Sequence, residues 1–178
     1  MMIKKIIIYP NPILKKVARP IINFDDELKQ LITDMIATMF DAPGAGLAAP
    51  QIGVARQLVI INTSKKKEDA DHKAIALINP QIYAGEGSEI DTEGCLSVID
   101  YTAEVERFKK IRVKALDASG KEIDFAAEDF FARAIQHECD HLRGKLFIDR
   151  ISPLKRSLYK RRLKKMLAAE NKKQVGDK

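Results

Sequence analysis

His137, Glu138 and His141 stand in the order H-E-x-x-H within Gln136-His137-Glu138-Cys139-Asp140-His141, a pattern with a mechanism attached. On a helix of about 3.6 residues per turn, positions i and i+4 share one face. The two imidazoles can therefore grip one metal ion. Glu138, beside the first of them, can take a proton from a water that the ion activates and later hand it to a leaving group. An ordinary charged helix with two chance histidines is the plain alternative.

A catalytic site of this kind needs three protein ligands and an open position. A metzincin-like third histidine would fall at position 147, which is Phe147. A glutamate ligand from a later helix would have to be Glu170, in a lysine-rich tail. Cys139 lies two residues from His137, about 200° around the helix, and reads as a small packing residue. Cys95, in Glu93-Gly94-Cys95-Leu96-Ser97, is open between a buried structural thiol and a third ligand. A further segment, Gly44-Ala45-Gly46-Leu47-Ala48-Ala49-Pro50-Gln51-Ile52-Gly53, is no dinucleotide loop, because it follows a helix and runs into Pro50. It reads either as a flexible connection or as a wall approached closely by a substrate backbone, with Gln51 as its polar tip.

These three segments, in this order and spacing, resemble peptide deformylase. The resemblance extends from Tyr9-Pro10-Asn11-Pro12-Ile13-Leu14 to Leu146-Phe147-Ile148-Asp149-Arg150. It implies an enzyme that removes the formyl group from the N-terminal formyl-methionine of newly made proteins, releasing formate. By the same resemblance Cys95, His137 and His141 hold the metal, Glu138 is the general base, and the Gln51 amide and Leu96 N–H stabilise the oxyanion. Gly44, Gly46, Glu93 and Gly94 would contact the peptide, which adds as an extended strand. A Cys/His/His site suits zinc, iron, cobalt or nickel; the resemblance implies Fe2+, with nickel or cobalt often supporting activity. The chain departs from the family at Ile99-Asp100-Tyr101, where proline is usual, so the loop beside the substrate is free to take another path. Arg133, one turn before His137, could line the methionine pocket or point to solvent, and solvent is expected because an unpaired buried guanidinium is costly. Two other classes compete with this reading: a zinc endopeptidase, and a nonenzymatic ribosome-binding protein on the same scaffold, whose mark would be loss of Glu138 or Cys95.

The elements that must position these residues follow from pattern. Glu128 and Asp129 place negative charge at the start of the motif helix, while Phe131, Ala134, Ile135 and Leu142 recur at helical spacing. Arg143-Gly144 caps it, and Lys145-Leu146-Phe147-Ile148 is expected to resume as extended chain. Asp25 caps an earlier helix with Leu28, Leu31, Ile32, Met35 and Met39 inward. Extended segments are predicted over 57–62, 74–78, 89–92, 103–107, 111–116 and 122–125, the last two joined through Asp117-Ala118-Ser119-Gly120. The expected fold class is α+β, with mainly antiparallel β-sheets packed around a central helix carrying the motif, and a C-terminal helix.

With 178 residues and 46% hydrophobic content, one domain burying roughly 70% of its unfolded surface is expected. Residues 1–152 would form the catalytic part, and 153–178 a basic helix and tail of the same domain. No apolar run approaches the ~20 residues that span a bilayer, the N-terminal run is too short for a signal peptide, and two cysteines suit a reducing, cytoplasmic setting. The segment 64–73 reads as a charged surface loop with His72 solvated. Ser152-Pro153 starts the last helix, with an apolar stripe of Tyr159, Leu163, Met166 and Leu167. Residues 155–173 hold nine Lys or Arg and one Glu, against +6 for the whole chain, so the basic character is confined to this element. It reads as a solvated face or as a contact with a polyanion, the ribosome, without sequence-specific nucleic acid binding.

Overall fold

The computed structural model describes residues 1–42, 44–63 and 73–176, with backbone alone for 170–176. The charged segment 64–72, with His72, lies outside them. Helix α1 (Asp26–Asp41) begins where Asp25 Oδ1 accepts the Leu28 N–H at 3.0 Å, the cap its sequence predicts. Seven strands follow among the described residues: β1 (Gly46–Ala48), β2 (Leu58–Asn62), β3 (Ala74–Glu86), β4 (Glu89–Cys95), β5 (Val98–Arg107), β6 (Lys110–Leu116) and β7 (Glu122–Glu128). The motif helix α2 (Asp129–Leu142) and the terminal helix α3 (Pro153–Gly176) complete the chain.

Strands β1, β2, β3, β6 and β7 form one antiparallel sheet in that order, and β4 and β5 form a separate antiparallel pair. β2 is apolar without alternation because both faces of the sheet are covered. Val59 and Ile61, with Leu77, pack against Ala132, Ile135, Cys139 and Leu142 of α2. Leu58 and Ile60, with Ile78, pack against Leu28, Ile32, Met35 and Met39 of α1. Opposite sides of one strand thus serve two helices, as the two-residue period of a strand requires. A third cluster joins Val98 and Val105 of β5 to Leu14, Phe147, Ile151 and the α3 residues Tyr159 and Leu163.

Several expectations are corrected. β3 continues well past position 78, because the ladder with β6 shifts register between Ile78 and Gln81 and Pro80 sits in that irregularity, where a missing N–H is tolerated. Asn79 there, at φ 51, exchanges hydrogen bonds with the Ile21 backbone. The chain after Gly144 is not extended at position 147; Phe147–Asp149 form a 3-10 turn in which Asp149 Oδ2 accepts the Leu146 N–H at 2.9 Å. Of the two readings of 44–53 the flexible connection gives way, since the segment is ordered as β1 and a 3-10 turn, Ala49–Ile52. Among the described residues no helix is long and apolar enough to cross a membrane.

Candidate metal centre

α2 is buried along most of its length, so His141 faces protein and His137 reaches solvent only through a cavity. The end of β4 brings Cys95 to the same place. The donor atoms of Cys95, His137 and His141 all lie within 4.8 Å of one another, the only such grouping of three among the described residues. Cys95 Sγ stands 3.3 Å from His141 Nε2. Cys139, by contrast, packs between α2 and the sheet, and burial pushes its thiol up to about 12.

The donor set fits a divalent transition metal: a thiolate and two imidazoles are borderline-soft ligands, and three of them leave a position open. Burial, and then the neighbouring His137, hold His141 well below the ordinary histidine pKa, which leaves its Nε2 lone pair free to coordinate. His137 turns Nδ1 onto Glu93 Oε2 at 2.9 Å, so its other nitrogen faces the cluster. A carboxylate behind a ligating imidazole fixes tautomer and ring orientation.

Glu93 is itself held. Arg107 engages it through Nε and Nη2 at 2.8 and 2.9 Å and reaches Asp140 Oδ2 with Nη1 at 2.6 Å. Arg150 closes on Asp140 with Nε at 2.5 Å and Nη2 at 2.7 Å. Burial would raise the Glu93 carboxyl, but the Arg107 and His137 contacts overcome it and hold the group well below the usual carboxylate range. Glu138 has no such partners. Its carboxylate is buried with Oε2 unbonded, and burial pushes its pKa up to about 7, where a group can both accept and release a proton near neutrality.

Gln51 is oriented by the backbone. Its Oε1 accepts the Ala48 N–H at 2.7 Å, which leaves its NH2 to point at Ser97 Oγ (3.3 Å) and Cys95 Sγ (3.6 Å). Around the cluster opens a cavity of about 490 Å3 lined by Gly44, Gly46, Gln51, Glu93, Gly94, Leu96, His137 and Glu138 among others. All ten residues singled out from sequence come to this one place, His141 lying buried beneath it.

The sequence profile of the polypeptide deformylase family matches residues 3–157. The chain belongs to the polypeptide deformylase family. It is 47% identical over 165 residues to the peptide deformylase of Desulfotalea psychrophila, covering 93% of this chain and 97% of that one. Its fold matches the crystal structure of a peptide deformylase from Legionella pneumophila with a TM-score of 0.85 at 43% identity, over 95% and 98% of the two chains. A Met-Ala-Ser-bound deformylase from Acinetobacter baumannii is similar with a TM-score of 0.78 at 33% identity, over 84% of this chain and 99% of that one. Deformylases are metal-dependent hydrolases, and this one removes the formyl group from N-terminal formyl-methionine; the endopeptidase alternative is not favoured.

The deformylase motifs do not disclose what surrounds them. Arg133, expected in solvent, is buried: Nη1 bonds Glu93 Oε1 and Val105 O, both at 2.9 Å, and Nη2 bonds Glu89 O at 2.8 Å. The penalty for burying a guanidinium is offset by partners 28 to 44 residues away in sequence. Arg107, Asp140 and Arg150 were also missed. A signal for Arg107 existed: it shares the covered face of β5 with Ala103 and Val105, and an inward arginine implies a buried acid.

Proposed function

We propose that Cys95, His137 and His141 hold one divalent ion, Fe2+ in the cell, and that Glu138, Gln51 and the Leu96 N–H carry the deformylation chemistry around it. The observation that carries this reading is the convergence of three donors, one thiol and two buried imidazoles, beside a buried carboxylate whose Oε2 is unbonded. When bound, the ion polarises the formyl carbonyl and makes water nucleophilic near neutral pH.

Glu138 receives the proton that the attacking water gives up and delivers it to the methionine nitrogen, so formate and a free amino terminus leave. The Gln51 amide, locked by Ala48, and the Leu96 N–H donate to the oxygen as negative charge develops there. Removing such a donor typically raises the barrier by about 2.7 to 4 kcal/mol. The peptide lies along β1, which among the described residues pairs with β2 alone and so offers a second edge beside the Gly44–Gly46 lining of the cavity, with the main chain of Gly94 across the cavity. Because the Glu93 carboxylate is committed to Arg107, Arg133 and His137, only its backbone is left for substrate. The Met-Ala-Ser-bound relative is consistent with a tripeptide in such a groove. Residues 1–152 would then be the catalytic part, in the cytoplasm, and the basic α3 would dock on the ribosome near nascent chains.

The direct test is formate release from a formyl-methionyl peptide by anaerobically purified protein whose metal has been quantified. Wild type should be active on Fe2+, and Glu138→Ala should lose at least about a hundredfold. Equal activity of Glu138→Ala or Cys95→Ala would overturn the assignment.

A further inference from the structure

One wall of the cavity is built from Val98, Asp100, Tyr101 and Thr102 of β5. Within this wall Asp100 takes φ 49, a left-handed conformation that surrounding structure must hold in place. Its neighbour Tyr101 is packed among rings. Tyr101 stacks on Tyr159 of α3 with centroids 4.6 Å apart and on Phe147 at 6.1 Å. Phe147 in turn lies 6.2 Å from the His137 ring, inclined at 25°, and Tyr9 lies 6.5 Å beyond Tyr159. A continuous run of aromatic rings therefore connects the terminal helix to the metal site.

Tyr159 is 2% exposed, lies beyond the residues that the family profile matches, and takes no part in the chemistry above. Its hydroxyl is buried without a partner among the described residues, so the ring and not the hydroxyl makes the contact. We propose that Tyr159 is a positioning residue for deformylation: its ring braces Tyr101 and so keeps the wall from Val98 to Thr102 in the shape that receives the substrate. This rests on the deformylase reading of the cavity. It makes α3 part of the active-site architecture.

Formate release from a formylated Met-Ala-Ser peptide, with metal content and thermal unfolding measured in parallel, tests it. Tyr159→Leu should raise KM about three- to tenfold, the factor that one missing aromatic pair implies, with kcat and metal content within about twofold. Tyr159→Phe should retain the wild-type KM and unfold at the same or a higher temperature, because it deletes an orphaned buried hydroxyl. Tyr101→Leu should match Tyr159→Leu, and the double variant should be no worse than Tyr101→Leu alone. A lowered Tm with wild-type KM, or additive effects in the double variant, would mean that Tyr159 only packs. Should Tyr159→Leu fail to fold, Tyr101→Leu with a wild-type KM overturns the idea by itself. Absence of formate from every formyl-methionyl peptide with wild type would sink the deformylase reading and this role together, whereas formate release with a KM blind to both tyrosines sinks this role alone.

Discussion

A Cβ placed on Gly46 would lie 2.7 Å from Cγ and Oε1 of Glu138 and 2.9 Å from its Cδ. The glycine leaves room for the Glu138 carboxylate, the general base proposed above, a reason beyond the close approach of a peptide backbone. Its φ is not left-handed, so alanine would fit the backbone while displacing the carboxylate. Gly46→Ala should fold and load metal normally yet lose on the order of a hundredfold in kcat, the usual penalty for about 1 Å of misplacement at the reacting atoms. A wild-type kcat would show that the Glu138 carboxylate has freedom to move aside. At this scale the sequence picked out His137, Glu138 and His141 as candidates by type and spacing, and left Cys95 open until the family resemblance was added. It concealed Arg133 and the Arg107–Glu93 pair, because the partners that make those charges tolerable arrive from other strands.

Elements whose ends are set by local chemistry were legible before the fold was known. Asp25 caps α1 through its own side chain, and Asp117 Oδ1 gathers the N–H groups of Ser119 and Lys121 to turn β6 into β7. Elements set by neighbours were not legible: β3 runs beyond Pro80 because β6 pairs with it, and the turn at Phe147 forms where the third core cluster needs that ring. Gly144 shows both causes at once. It caps α2 at φ +67, as its position implied, but an added Cβ would also fall 2.4 Å from the Lys15 carbonyl oxygen, a backbone atom with little room to yield. Gly144→Ala should therefore cost more than the usual strained-backbone substitution, about 2 to 4 kcal/mol, read from the denaturant midpoint. A loss under about 1 kcal/mol would mean that the segment at Lys15 moves freely away from the end of α2.

Across the whole molecule, charge is distributed unevenly, and α3 displays it. Tyr159 and Leu163 turn inward, which leaves Lys160, Arg161, Lys164 and Lys165 exposed. Deleting residues 155–178 would be a blunt probe of ribosome docking, because it strips two buried side chains from the core, each worth about 2 to 5 kcal/mol, along with the brace on Tyr101. Replacing those four exposed residues by Gln keeps the core and removes only charge. If α3 docks on ribosomal polyanion, the fourfold variant should bind ribosomes more weakly, and the slope of log affinity against log salt should flatten by about 0.7 to 0.9 for each phosphate that α3 no longer neutralises. Formate release from a short peptide should stay within about twofold, since none of the four lines the cavity. Unaltered ribosome affinity and salt slope would leave α3 the single task of supporting Tyr101 and the third core cluster.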